Sequence, residues 1–297
     1  MKQNPLRLGT STSGLCRCIP DDFAAGIYKT TSYTDDEYRR LASIAREAGV
    51  AIANSEIRSL EYFLTVAMLD SGLNNPIVEM FRNIGDNCEV WSVHAPFTGV
   101  DLASPDDEMR LQSVKWVCRA AEIGHGLGAK VLTVHSALEA PVSISREQRV
   151  ELAAKSIASV ADVCAGYGIT VAVEILPRQC IGNSAPELLT MLELIDRPNA
   201  GICLDVNHCF PASALAEVVR TLGKRIVTLH ISDYDDVDER HWLPTKGVID
   251  WTGFIHALRE IKYSGPFLYE VSLNEATLTD AIAVLEQNYN ELMRAAS

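Results

Sequence analysis

The sequence predicts a (β/α)8 barrel in a single domain spanning residues 1–297. Three observations carry that prediction: eight short apolar runs alternate with longer amphipathic segments, their spacing matches a βα unit, and the runs share a two-sided parity. In order, the runs are RLGTS (7–11), VAIANSE (50–56), EVWSVH (89–94), KVLTVH (130–135), ITVAVE (169–174), AGICLD (200–205), RIVTLH (225–230) and PFLYE (266–270). Eight units in 297 residues average about 37 residues each, the size of a strand, a turn and a helix. The segments between them carry helix-start signals. Thr34 with Glu37, Ser145 with Gln148 and Ser184 with Glu187 fit the capping box, and Ser104 precedes Pro105 as an N-cap precedes an N1 proline. No linker or low-complexity tract interrupts the alternation.

Parity within the runs supports closure. Counting back in twos from the last residue of six runs gives Ser92, Thr133, Ala172, Cys203, Thr228 and Leu268, which are mostly small. The opposite parity gives Trp91 and Val93, Leu132 and Val134, Val171 and Val173, Ile202 and Leu204, Val227 and Leu229, Phe267 and Tyr269. Successive strand residues face opposite sides, so the bulky face suits packing under helices and the small face suits a narrow barrel interior.

The run ends share the inward parity, and they are His94, His135, Glu174, Asp205, His230 and Glu270. Each is placed at the C-terminal mouth, where sites are built in this architecture. Five of the seven histidines fall in this neighbourhood once His208 and His241 are included. Any one of these residues is equally well explained as a satisfied polar cap. Together, carboxylates and imidazoles converging on one mouth would desolvate and repel one another unless a divalent cation organised them.

Composition narrows the partners. Net charge is −13 and the pI is about 5.0, so the average surface repels nucleic acid and anionic membrane. Neither a signal-peptide-like N-terminal stretch nor an apolar run of membrane-spanning length is present, which leads us to expect a soluble, cytoplasmic protein with no membrane partner. The eight cysteines show no disulfide framework and are expected reduced; the Cys16/Cys18 pair is too slight a motif to hold a metal alone.

The series WSVHAPF, VLTVHSA, VAVEILP, ICLDVNH, VTLHISD, ERHWLPTKGVIDW and LYEVS resembles the xylose isomerase-like TIM barrel superfamily, in particular its sugar isomerase and epimerase branch. The resemblance covers nearly the whole chain. It implies a metal held by Glu174, Asp205, His230 and Glu270, with Glu174 and Glu270 also serving as the acid-base pair. It implies substrate contacts from His208 and Arg240. His94, His135 and His241 would complete the polar wall. Three hard oxygen donors and one nitrogen suit Mn2+ or Mg2+, with Zn2+ and Co2+ also compatible. Such an ion would polarise a ketose carbonyl, letting paired glutamates move a proton through an enediolate. The expected partner is a small carbohydrate, and a homo-oligomer is compatible with the sequence. With only Gly247 and Gly265 after the last two strands, no glycine-rich phosphate cradle is evident, which points to an unphosphorylated substrate.

Endonuclease IV-type apurinic/apyrimidinic endonucleases belong to the same superfamily and hold three zinc ions. His94, His135, Glu174, Asp205, His208, His230, Glu239, His241 and Glu270 match the order of that larger ligand set, except that Glu239 stands where the nuclease pattern has aspartate, which makes His94, His135, His208, Glu239 and His241 additional metal ligands in this alternative. Against it stand 26 basic and 39 acidic residues and the acidic loop DYDDVDE (233–239), which a DNA backbone would have to approach. A lyase or deglycosylating enzyme on the same barrel would use the same residues to eliminate. Glu56 is placed at a strand end near the pocket, Trp242 as a stacking surface or loop cover, and Asp233 as a partner to a ligand imidazole.

Overall fold

Seven of the eight apolar runs form strands where the pattern places them: β1 (Arg7–Ser11), β3 (Glu89–His94), β4 (Val131–Val134), β5 (Thr170–Glu174), β6 (Ala200–Asp205), β7 (Ile226–His230) and β8 (Pro266–Tyr269). They are seen in a computed structural model that describes residues 6–16, 34, 36, 39, 43, 49–70, 72–74, 78, 88–137, 143–275 and 277–297. The second run is a correction. Residues 49–53 are helical, and β2 is Ser59–Phe63. Glu56 is therefore not at a strand end; it is exposed, and its carboxylate accepts from Asn290 Nδ2 at 3.1 Å.

All pairings are parallel, in the order β7-β6-β5-β4-β3-β2-β1-β8. The ring closes between β7 and β8 just past their ends, where Ile231 N donates to Leu268 O at 2.8 Å and Glu270 N to Ile231 O at 3.0 Å. Helices follow the strands on the outside, the longest among the described residues being Asp107–Leu127, Arg146–Tyr167 and Leu278–Ala295. No described helix is long and apolar enough to cross a membrane.

The helix-start signals fare unevenly. Ser145 and Gln148 form the reciprocal capping box. Ser184 is an N-cap without a side-chain bond, and the reciprocal half of the box is absent too, since the Glu187 carboxylate accepts from Arg146 Nε at 2.7 Å. Asp106, not Ser104, caps the helix that begins at Asp107; Ser104 Oγ, two residues earlier, accepts from Asp106 N. Glu37 and Cys18 lie outside the described residues, as does the side chain of Cys16.

The outward face is the core: Val93, Leu132, Val134, Val171, Val173, Ile202, Leu204, Leu229, Phe267 and Tyr269 are buried under the helices. Each such side chain contributes roughly 1.5–3 kcal/mol on burial. Trp91 and Val227 depart from the expected parity. Register shifts opposite them, at Leu60/Glu61 and Ile202/Cys203, insert a residue into β3 and β7. A bulge puts two residues against one, so both side chains turn onto the interior cluster of Val131, Ala172 and Cys203. The Trp91 indole there donates to Thr228 Oγ1 at 3.1 Å.

Candidate metal centre and active site

The inward-facing strand ends meet as the parity requires. Glu174, Asp205, His230 and Glu270 each offer one ligand atom, and these atoms lie within 4.8 Å of one another. His230 Nδ1 stands at the centre, 2.9 Å from Glu270 Oε2, 3.2 Å from Glu174 Oε1 and 3.9 Å from Asp205 Oδ2. The other Glu174 oxygen, Oε2, meets His94 Nε2 at 3.0 Å and His135 Nε2 at 3.1 Å. Glu174 thus joins the four-donor cage to a pair of imidazoles. Phe63 stacks on His94 and Phe97 on His135, with ring centroids 4.7 and 4.6 Å apart, which fixes both rings.

Burial and charge act against each other here. Burial pushes the Asp205 carboxyl up to about 6. Burial works the same way on Glu270, but the His230 imidazole beside it prevails and holds that carboxyl down to about 2. At Glu174 burial is likewise overcome, by His230 and His135, leaving the carboxyl well below the usual range. His135 is lowered by its burial. His208 is raised to about 10, because Asp205 and Glu239 outweigh desolvation.

The donor set fits a hard dication. Asp205 is fully buried, yet no hydrogen bond reaches its Oδ2; His208 Nδ1 is 3.4 Å away and His230 Nδ1 3.9 Å. An unsatisfied carboxylate oxygen in a dry interior is expensive, and a cation among three carboxylates and a nitrogen removes that penalty.

A second group gathers at the rim, where His208, Glu239 and His241 also offer ligand atoms within 4.8 Å of one another. Both imidazoles are set by backbone carbonyls: His208 Nδ1 lies 2.8 Å from Ile175 O and His241 Nδ1 3.1 Å from Glu270 O. With each Nδ1 turned to a backbone carbonyl, Nε2 is the nitrogen of each ring left to meet a metal or a carboxylate. Together these residues line a pocket of about 240 Å3 that also includes Phe63, Phe97 and Arg178.

Residues 73–288 match the xylose isomerase-like TIM barrel family. The chain belongs to that family. Among curated relatives, a 176-residue stretch is 30% identical to L-ribulose 3-epimerase from Methylomonas sp., covering 57% of this chain and 59% of the relative. A 152-residue stretch is 26% identical to inosose isomerase from Bacillus subtilis, covering 46% and 55%. The matched stretches thus span little more than half of either enzyme. The fold is shared with a D-tagatose 3-epimerase-like protein (TM-score 0.70, 22% identity, 86% of this chain and 97% of that one). It is also shared with 3-keto-D-glucoside 4-epimerase from E. coli (TM-score 0.70, 17% identity, 98% and 100%).

Several expected residues sit elsewhere. Arg240 does not line the pocket; it is exposed and its Nε donates to Asp235 Oδ2 at 2.7 Å. Its neighbour His241, at φ +49°, adopts the left-handed backbone and faces the pocket instead. Trp242 lines the outside of the same loop, its backbone paired with Asp233. Asp233 organises that loop, accepting from Thr245 N at 2.8 Å and Trp251 Nε1 at 3.0 Å rather than from an imidazole. Arg178, which the sequence reading missed, arrives at the pocket wall from the segment after β5 and pairs with Asp238 and Glu239 across the mouth. Glu61, also missed, is fully buried inside the barrel on β2.

Proposed function

We propose that this chain is a divalent-metal-dependent isomerase or epimerase of an unphosphorylated ketose or ketopolyol, with Mn2+ or Mg2+ as the ion. The observation that carries the reading is the cage itself, four donors at the ends of four strands, with Glu270 Oε2 2.9 Å and Glu174 Oε1 3.2 Å from His230 Nδ1. A bound dication would polarise the substrate carbonyl and acidify the neighbouring C–H. Glu174 and Glu270 are the acid-base pair: one removes the proton, the enediolate forms, and the other delivers a proton from the opposite face. His94 and His135 hold Glu174 in place through its second oxygen. His208 and His241 present hydrogen-bonding nitrogens to substrate oxygens, and Phe63 and Phe97 form the apolar wall. The epimerase and isomerase names of the relatives support the reaction class. The two late glycines support a substrate without phosphate, since a Cβ at Gly247 would lie 2.1 Å from Tyr234 O and one at Gly265 2.2 Å from Tyr263 Oη; both serve chain packing.

One observation favours a second reading, a multi-metal phosphodiesterase acting at abasic DNA: the His208–Glu239–His241 group is a ligand set in its own right. The acidic loop beside it opposes a DNA backbone. A single pair of assays separates the readings. With Mn2+ present, a panel of ketoses, inososes and their glycosides should yield an isomer or C3 epimer, while duplex DNA carrying an abasic site should stay intact and bind no tighter than about micromolar at low salt. Nanomolar binding or metal-dependent nicking, without sugar turnover, would replace the first reading by the second. Release of water or of an aglycone would make the enzyme a lyase.

A further inference from the structure

A buried carboxylate that this chemistry leaves unused lies one layer below the cage. Glu61 pairs in register with Ser92, two residues before His94, and is fully enclosed by the barrel. Its Oε2 accepts from Ser92 Oγ at 2.7 Å and from Thr133 Oγ1 at 3.1 Å. Its Oε1 lies 3.0 Å from His230 Nε2 in a bent contact, and neither of those two atoms has a hydrogen bond elsewhere.

We propose that Glu61 is a positioning residue for His230: it takes the Nε2–H of the imidazole and thereby aims the Nδ1 lone pair into the group formed by Glu174, Asp205 and Glu270. The inference rests on the reading of that group as a cation cage and adds the residue that sets its one nitrogen donor. An imidazole that ligates through Nδ1 must carry its proton on Nε2. His230 is fully buried, so that N–H would be orphaned without an acceptor; Glu61 Oε1 lies 3.0 Å from Nε2, and the Cys203 thiol that also lies against this imidazole is a far weaker acceptor. A carboxylate there also makes Nδ1 a stronger donor, as partners of ligating histidines do. Two hydroxyls alone are poor compensation for an enclosed carboxylate; the imidazole completes its coordination. The hydroxyls of Ser92 and Thr133 hold the second oxygen, so Oε1 cannot rotate away from His230.

The test is Glu61→Gln, which keeps shape and an acceptor oxygen but removes the charge. Three quantities are measured: Co2+ affinity by calorimetry, the visible Co2+ spectrum, and the melting temperature of the metal-free protein. The expected result is a tenfold or greater loss of Co2+ affinity and shifted ligand-field bands, with a metal-free melting temperature equal to or above wild type. Unchanged affinity and spectrum would overturn the proposal, as would a lowered melting temperature with affinity intact, which is the mark of a purely packing role. Should Glu61→Gln fail to fold, Thr133→Val removes one of the hydroxyls holding Oε2 and should weaken Co2+ several-fold; wild-type affinity and spectrum there would again overturn it. Absence of stoichiometric Co2+ binding by the wild-type protein would instead contradict the cage, a separate failure.

Discussion

Glu174→Gln and Glu270→Gln should each lose at least about 10²-fold in turnover while retaining substantial metal, the loss typical of a missing general base. Glutamine keeps a ligand oxygen and the side-chain shape, so the cage around His230 Nδ1 survives while the group that carries the proton does not. The two variants should differ in one respect. The one that keeps the abstracting glutamate should still exchange the substrate C–H with solvent without forming product, because deprotonation precedes delivery from the other face. Turnover and metal content measured on the same preparations check this. Full metal occupancy with near-normal turnover would leave that glutamate as a ligand alone. Glu174 should show the larger secondary effect, since His94 and His135 both lean on its Oε2 and lose their charged partner on substitution.

Asp205→Ala should hold less than a tenth of the wild-type Mn2+ under equal loading, a loss of about 1.4 kcal/mol or more in affinity. The fold should persist, because the four ligands come from four separate strands and the Asp205 side chain makes one short local bond, accepting from Asn207 N at 2.8 Å. The orphaned Oδ2 makes the direction clear: removing a buried carboxylate with no hydrogen bond at one oxygen relieves the metal-free protein while depriving the ion of a donor. Elemental analysis alongside a circular dichroism melt reads both sides. Unchanged metal content would remove Asp205 from the ligand set.

How much of this was legible in the sequence followed from where periodicity exists. Strand ends inherit the alternation of their strands, so His94, Glu174, Asp205 and His230 could be placed at one mouth before any coordinates, and they meet there. The second strand was missed because apolar periodicity is ambiguous over short runs: VAIANSE reads apolar because it begins within a helical segment, whereas SLEYF carries a carboxylate at an inward position. The misplaced strand concealed Glu61 and put Glu56 near a pocket it does not approach. Loops have no period at all. Beyond β7, the left-handed backbone at His241 brings that imidazole to the pocket and leaves its neighbour Arg240 outside, a reversal no count of residues foretells. A non-glycine residue held there costs about 1–2 kcal/mol of local strain, and such strain gathers at working sites. Arg178, at φ +51° in the segment after β5, escaped notice for the same reason.

The central claim is proton transfer between two carboxylates on a metal-bound ketose, and isomerisation of a ketose in D2O with Mn2+ present tests it most directly. Product should carry close to one solvent deuterium at the carbon that receives the proton, the same carbon in an epimer and the former carbonyl carbon in an isomer, read by NMR, because the delivering glutamate exchanges its proton with solvent before each turnover. Product formed at full rate with no deuterium at that carbon would mean that hydrogen moves directly between substrate carbons, and would contradict the paired-glutamate account.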